Sequence, residues 1–162
     1  MDPDGGSLLF RAIPPECRLS AEAKRLLKDF ARTLSNRIAE GRAFTCLITN
    51  DKELRKLNNT FLGHDYATDV LSFPSQEKGD LGELAISAER ASAQAREFGH
   101  TLSDEIRILM LHGILHLTGL DHEKDRGKMA RAERKWRAEF GLPDTLIART
   151  RARLPANQEA IL

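Results

Sequence analysis

The order of apolar and polar positions divides the chain into strand-like and helix-like stretches punctuated by glycine and proline. An apolar run from Leu8 to Ile13 predicts an edge strand, which Pro14-Pro15 breaks. Ser20 then heads a pattern that sets Leu26, Leu27, Phe30, Leu34 and Ile38 along one side, predicting a helix over about 20–40 that ends at Gly41. Residues 43–49 are rich in strand formers, and Asn50 followed by Glu53 is a capping signal for a short helix through Leu54 and Leu57. Two more strands are predicted at 69–74 and 81–87, on either side of the turn Lys78-Gly79-Asp80, the second with alternating Leu84 and Ile86. An alanine-rich helix over 88–98 stops at Gly99, and Ser103 or Thr101 caps the next one, 104–117, which Gly119 ends. A last helix over about 124–140 closes at Gly141 and Pro143. Strands and helices are mixed without strict alternation, so the predicted class is α+β with a small mixed sheet.

Composition narrows the class without changing that picture. With 162 residues, 41% hydrophobic and 30% charged, the chain can build one core and is too charged for a membrane span and too apolar for wholesale disorder. The expected organisation is a flexible segment at 1–7, one domain over 8–150 and a basic, irregular tail at 151–162. The two cysteines, Cys17 and Cys46, form no C-x-x-C pair and no disulfide framework, which favours a reducing compartment. The acidic, glycine-rich start lacks the features of a secretory signal, so a cytoplasmic location with no membrane partner is expected.

The chemistry concentrates in the helix at 104–117. It is apolar nearly all round, and an apolar helix of that kind is buried, yet it carries His112 and His116. Four residues apart, the two rings lie on one side a single turn from each other, the arrangement in which a helix chelates zinc. His122 follows after Gly119 has turned the chain, completing H-x-x-x-H-x-x-G-x-x-H. Three imidazoles leave a fourth tetrahedral position for water, the layout of a catalytic and not a closed structural site. The plainer alternative is that these are core histidines with satisfied ring nitrogens. Three of only five histidines falling within eleven positions favours the metal. Asp121, next to His122, could orient a ligand by accepting its second N–H, or simply terminate the turn; the general habit of metal-bound histidine slightly favours the first. Zinc proteases with a related H-E-x-x-H spacing carry a glutamate base where this chain has Gly113, so peptide hydrolysis is the weaker hydrolytic reading.

The run His112-Gly113-Ile114-Leu115-His116-Leu117-Thr118-Gly119-Leu120-Asp121-His122 resembles the signature of the YbeY family, bacterial endoribonucleases of rRNA maturation. A second block is similar in order and spacing: Leu57-Asn58, Phe61, Asp65, Thr68-Asp69-Val70-Leu71-Ser72-Phe73-Pro74, then Leu81-Gly82-Glu83 and Ser87. Met129 and Glu133 fit the family's last helix, so the likeness covers about 50–140. It implies a zincin-like α+β domain around a central metal-binding helix. It further implies one zinc ion held by His112, His116 and His122, with His112 also catalytic, and cleavage of single-stranded rRNA at the 3′ end of 16S rRNA. Contact with the small ribosomal subunit and its proteins follows from the same likeness.

Two departures stand out. Leu62 occupies the place of a family arginine thought to hold RNA, and Glu83 that of an aspartate. Arg55 and His64 are the nearby residues that could substitute for the arginine, or be plain surface groups. Charge is shifted along the chain: residues 1–122 hold 15 Lys and Arg against 18 Asp and Glu, whereas residues 123–153 hold 10 against 5. The basic residues Arg126, Lys128, Arg131, Arg134, Lys135, Arg137, Arg149, Arg151 and Arg153 could flank the metal and bind phosphates, or form the solvated side of a helix that packs through Met129, Ala132, Trp136 and Phe140. Against the nuclease stands a second expectation: a ribosome-associated RNA- or protein-binding assembly factor in which zinc is structural and the chain cleaves nothing.

Overall fold

The computed structural model describes residues 5–120 and 126–143. Its elements are β1 (Gly6–Phe10), α1 (Ala21–Arg37), β2 (Ala43–Thr49), α2 (Asp51–Leu62), β3 (Val70–Pro74), β4 (Asp80–Ser87), α3 (Ala88–Phe98), α4 (Leu102–Leu117) and α5 (Lys128–Phe140), with a short 3-10 turn at Pro15–Cys17. The strands form one mixed sheet in the order β1-β2-β4-β3; β1 and β4 run parallel to β2, and β3 is antiparallel to β4. The class is therefore α+β with a small mixed sheet, as the sequence pattern predicts. Gly6 and Ser7, expected in a flexible terminus, are the first two residues of β1 and align with Phe44 and Thr45. No described helix is long and apolar enough to cross a membrane.

Local signals set the helix starts. Ser20 accepts from the backbone N–H of Ala23 at 3.0 Å and Asn50 from that of Glu53 at 2.8 Å, each satisfying a donor that the first helical turn leaves open. Thr101 does the same for Asp104 at 3.0 Å, so α4 begins at Leu102, two residues ahead of its predicted start.

Strand alternation sorts the apolar residues onto two sides of the sheet. Leu8, Phe44, Cys46, Ile48, Leu84 and Ile86 join the large core shared with α1, α3, α4 and α5. Leu71 and Ala85 point the other way and meet Leu54 of α2, with Leu57, Leu62 and Phe73 around them. α2 covers only part of that second face. Over the remainder lies a cavity of about 290 Å³ lined by Leu9, Arg11, Leu47, Phe61 and Glu83 among others. Cys17 and Cys46 are buried free thiols, and burial raises the pKa of both.

α4 is the hub of the larger core. It packs against α1, α3, α5, β3 and β4. Eleven of its sixteen residues are buried, which is why it is apolar on nearly every side.

Candidate metal centre

Gly113 sets how α4 lies on the sheet. A Cβ at this position would come within 2.6 Å of Leu84 Cδ2 on β4, so the absence of a side chain is what lets the helix approach this closely. A helical residue is displaced about 100° from its neighbour, so with Gly113 turned to β4, His112 is turned away from it. That direction leads to α5. His112 is 1% exposed, and its Nδ1 lies 2.6 Å from Oε1 of Glu133, itself 1% exposed.

His116 follows one turn later. The two imidazole centroids are 4.9 Å apart with planes inclined at 76°, and Nε2 of each ring is buried. The helix ends just beyond, where Thr118 hydroxyl donates to the carbonyl of Leu115 at 2.7 Å. Gly119, at φ +107°, adopts a conformation that residues with a Cβ rarely reach, and the chain leaves the helix axis there.

Of the predicted ligands, the structure thus brings His112 and His116 together; His122 and Asp121 lie outside the described residues. Among the described residues no three His, Cys, Asp or Glu side chains form a metal-binding group. The two histidines nonetheless fit a metal ion: they stand at chelating spacing, and a carboxylate engages Nδ1 of the first, an arrangement typical of metal-bound imidazoles. The role of Glu133 is the feature that spacing along the chain misses. Its signal is a single carboxylate in the stripe Met129, Glu133, Trp136 and Phe140, whose other members pack into the core.

The two departures in the central block lie elsewhere. Leu62 packs with Leu54, Leu71 and Ala85 on the sheet face opposite α4, and Glu83, on the same face as Ala85, lines the cavity there. Arg55 makes a bidentate ion pair with Asp65, at 2.8 and 3.2 Å, between two exposed side chains. That guanidinium holds the Asp65 carboxyl below the usual carboxylate range. His64 is exposed beside Tyr66, ring centroids 5.4 Å apart. Ser87 serves the fold: it accepts from the backbone N–H of Arg90 and donates to Asp51 Oδ1 at 2.6 Å.

On α5, Met129 is buried, and Ala132, Trp136 and Phe140 are partly buried against the core, with Trp136 stacked on Phe140 at 5.5 Å. Trp136 is thus a packing residue. Arg126, Lys128, Arg131, Arg134 and Lys135 are exposed, while Arg137 is half-buried and donates to the carbonyl of Leu142. Arg149, Arg151 and Arg153 fall outside the described residues.

The described site is thus a histidine pair on a buried helix, one ring tethered by a carboxylate, in an α+β protein with a small mixed sheet. Comparison with known proteins makes this specific. The family model described as Endoribonuclease YbeY matches residues 13–141, a span that includes all three histidines of the motif. A protein named Endoribonuclease YbeY from Solibacter usitatus is 56% identical over 150 residues, covering 93% of this chain and 98% of that protein. One from Koribacter versatilis with the same name is 52% identical over 104 residues, 64% of this chain and 68% of its own. A solution structure of a Thermotoga maritima protein superposes with a TM-score of 0.57 at 27% identity, over 80% of this chain and 85% of that one. The chain belongs to the YbeY endoribonuclease family.

Proposed function

We propose that this protein is a zinc-dependent, single-strand-specific endoribonuclease that works at the 3′ end of 16S rRNA in the cytoplasm, in contact with the small ribosomal subunit. The observation that supports this best is the buried His112, tethered by Glu133 and 4.9 Å from His116, in a chain of the YbeY family. His112, His116 and His122 would hold one zinc ion on a zincin-like helix. Zinc, when bound, supplies a Lewis acid that stabilises charge developing on a phosphoryl oxygen and lowers the pKa of water.

The chain's own residues have separable tasks in this reading. The helix α4 holds two ligands rigidly because its surroundings are packed core. The exposed cations of α5, Lys128, Arg131, Arg134 and Lys135, with Arg126 just ahead of it, attract and position the phosphate backbone without reading bases. Gly113 provides no base, and a longer side chain there would run into Leu84, which argues against peptide hydrolysis. Cleavage of an end-labelled single-stranded RNA by purified protein tests the proposal. Activity should disappear on stripping the metal with a chelator and return on adding zinc; cleavage that survives stripping would overturn zinc dependence.

One observation favours a second reading. Leu62 is a packing residue where the family's arginine is expected, and Arg55 is engaged by Asp65. An assembly factor that docks on the small subunit without cutting RNA would need neither cation. Metal-free protein that still binds small subunits, from a preparation whose zinc-loaded form cleaves nothing, would favour it.

A further inference from the structure

We infer that Glu133 positions the proton on His112, holding the imidazole in its Nδ1–H form so that Nε2 carries the lone pair. The assignment deepens the zinc reading above and rests on it for its consequence, although the proton's position is a property of the metal-free chain.

The hydrogen bond itself decides which nitrogen carries the proton. A carboxylate in its charged form can only accept, so the 2.6 Å contact of Oε1 with Nδ1, not Nε2, favours the ring form in which Nδ1 donates. A neutral ring protonated at Nδ1 carries its lone pair at Nε2. The opposite form, which free imidazole side chains favour in water, would set two acceptors against each other in a buried place.

Packing holds the carboxylate where it is. Glu133 lies between Met129 and Trp136 on the side of α5 that enters the core, with 1% of its side chain exposed. Burying a carboxylate to this extent costs several kcal/mol unless the charge is matched by good hydrogen bonds. A leucine would complete the Met129, Trp136 and Phe140 stripe without that cost, so the carboxylate earns no explanation from packing. What it adds is one defined imidazole form in the ring nearest His116. Asp121, the residue expected in such a role, lies outside the described residues, whereas Glu133 comes from a helix 21 positions away.

The test is a nitrogen NMR spectrum of the ¹⁵N-histidine-labelled, metal-free full chain at mildly alkaline pH. In the wild type, His112 should show a protonated Nδ1 with a far-downfield proton and an unprotonated Nε2. Glu133→Leu should move the ring towards Nε2–H and weaken zinc binding, measured by competition with a chelator, by about 10- to 100-fold. Glu133→Gln, whose amide oxygen accepts from the same N–H, should keep the form and recover part of that affinity. A wild-type ring protonated at Nε2 overturns the assignment. So does a Glu133→Leu variant with the wild-type form and zinc affinity within about twofold. Should Glu133→Leu not fold, the wild-type spectrum decides on its own: a protonated Nδ1 with an unprotonated Nε2 supports the assignment, and a ring protonated at Nε2 overturns it. A wild-type chain with the expected ring form that takes up no zinc overturns the zinc reading and supports the Glu133 assignment.

Discussion

Among the described residues, two buried histidine–carboxylate pairs have the same 2.6 Å separation, and they are built for different ends. His100 and Glu105 are five positions apart at the junction of α3 and α4. There Nε2 of the ring meets Glu105 Oε1, the second carboxylate oxygen accepts from Gln94 Nε2 at 2.7 Å, and the ring lies beside Phe98. The cluster fastens the end of α3 to the first turn of α4, where a negative charge also suits the helix dipole. His112 and Glu133 are 21 positions apart, join α4 to α5, and use Nδ1. A second imidazole, that of His116, lies 4.9 Å from the first between ring centroids. A buried pair of this kind therefore does not by itself mark a site; the two pairs differ in the nitrogen engaged and in having a second imidazole alongside.

Substitutions separate the two pairs, and the largest difference should be in bound metal. His116→Ala should drop zinc from about one per chain to near zero by elemental analysis, whereas His100→Ala should keep it. His100→Ala should instead lose stability, about 3–5 kcal/mol in denaturant unfolding, because it removes the ring from a carboxylate that is fully buried. Zinc content equal in the two variants would erase the distinction.

Gly113→Ala probes the approach of α4 to the sheet that directs His112 to α5. It should cost about 1–3 kcal/mol, since Leu84 must shift, and combining it with Leu84→Ala should cost less than the two single changes together. Strict additivity would mean that the contact is not what makes glycine necessary.

The exposed pair of Arg55 and Asp65 supplies the contrast in solvent, and its effect should be smallest. In Arg55→Ala, NMR titration should find the Asp65 carboxyl back near its ordinary value. A carboxyl whose pKa is lowered by folding contributes stability above its unfolded pKa and loses it as pH falls through the folded value. For two exposed groups that contribution should be barely visible in the unfolding midpoint.

Most element boundaries were legible because they are written locally. Ser20, Asn50 and Thr101 each cap the helix that their position announces, and alternation along β4 separates Leu84 and Ile86 from Ala85. The strand order β1-β2-β4-β3 was not legible, since it depends on pairing between residues far apart. The same holds at the candidate site. The spacing of His112 and His116 is a property of one helix, but the carboxylate that meets His112 comes from another, and only its odd place in an apolar stripe hinted at it. Leu62 reads along the chain as a missing cation. Its place at the end of α2, over Leu71 and Ala85, gives it a packing role that no local pattern conveys.

The most direct measurement sets His112→Ala beside His100→Ala, purified in parallel with the wild type, in cleavage of an end-labelled single-stranded RNA in the presence of zinc. At a temperature where all three are folded, cleavage should vanish in His112→Ala and stay within a few-fold of wild type in His100→Ala. Wild-type cleavage by His112→Ala would contradict the assignment of the chemistry to α4.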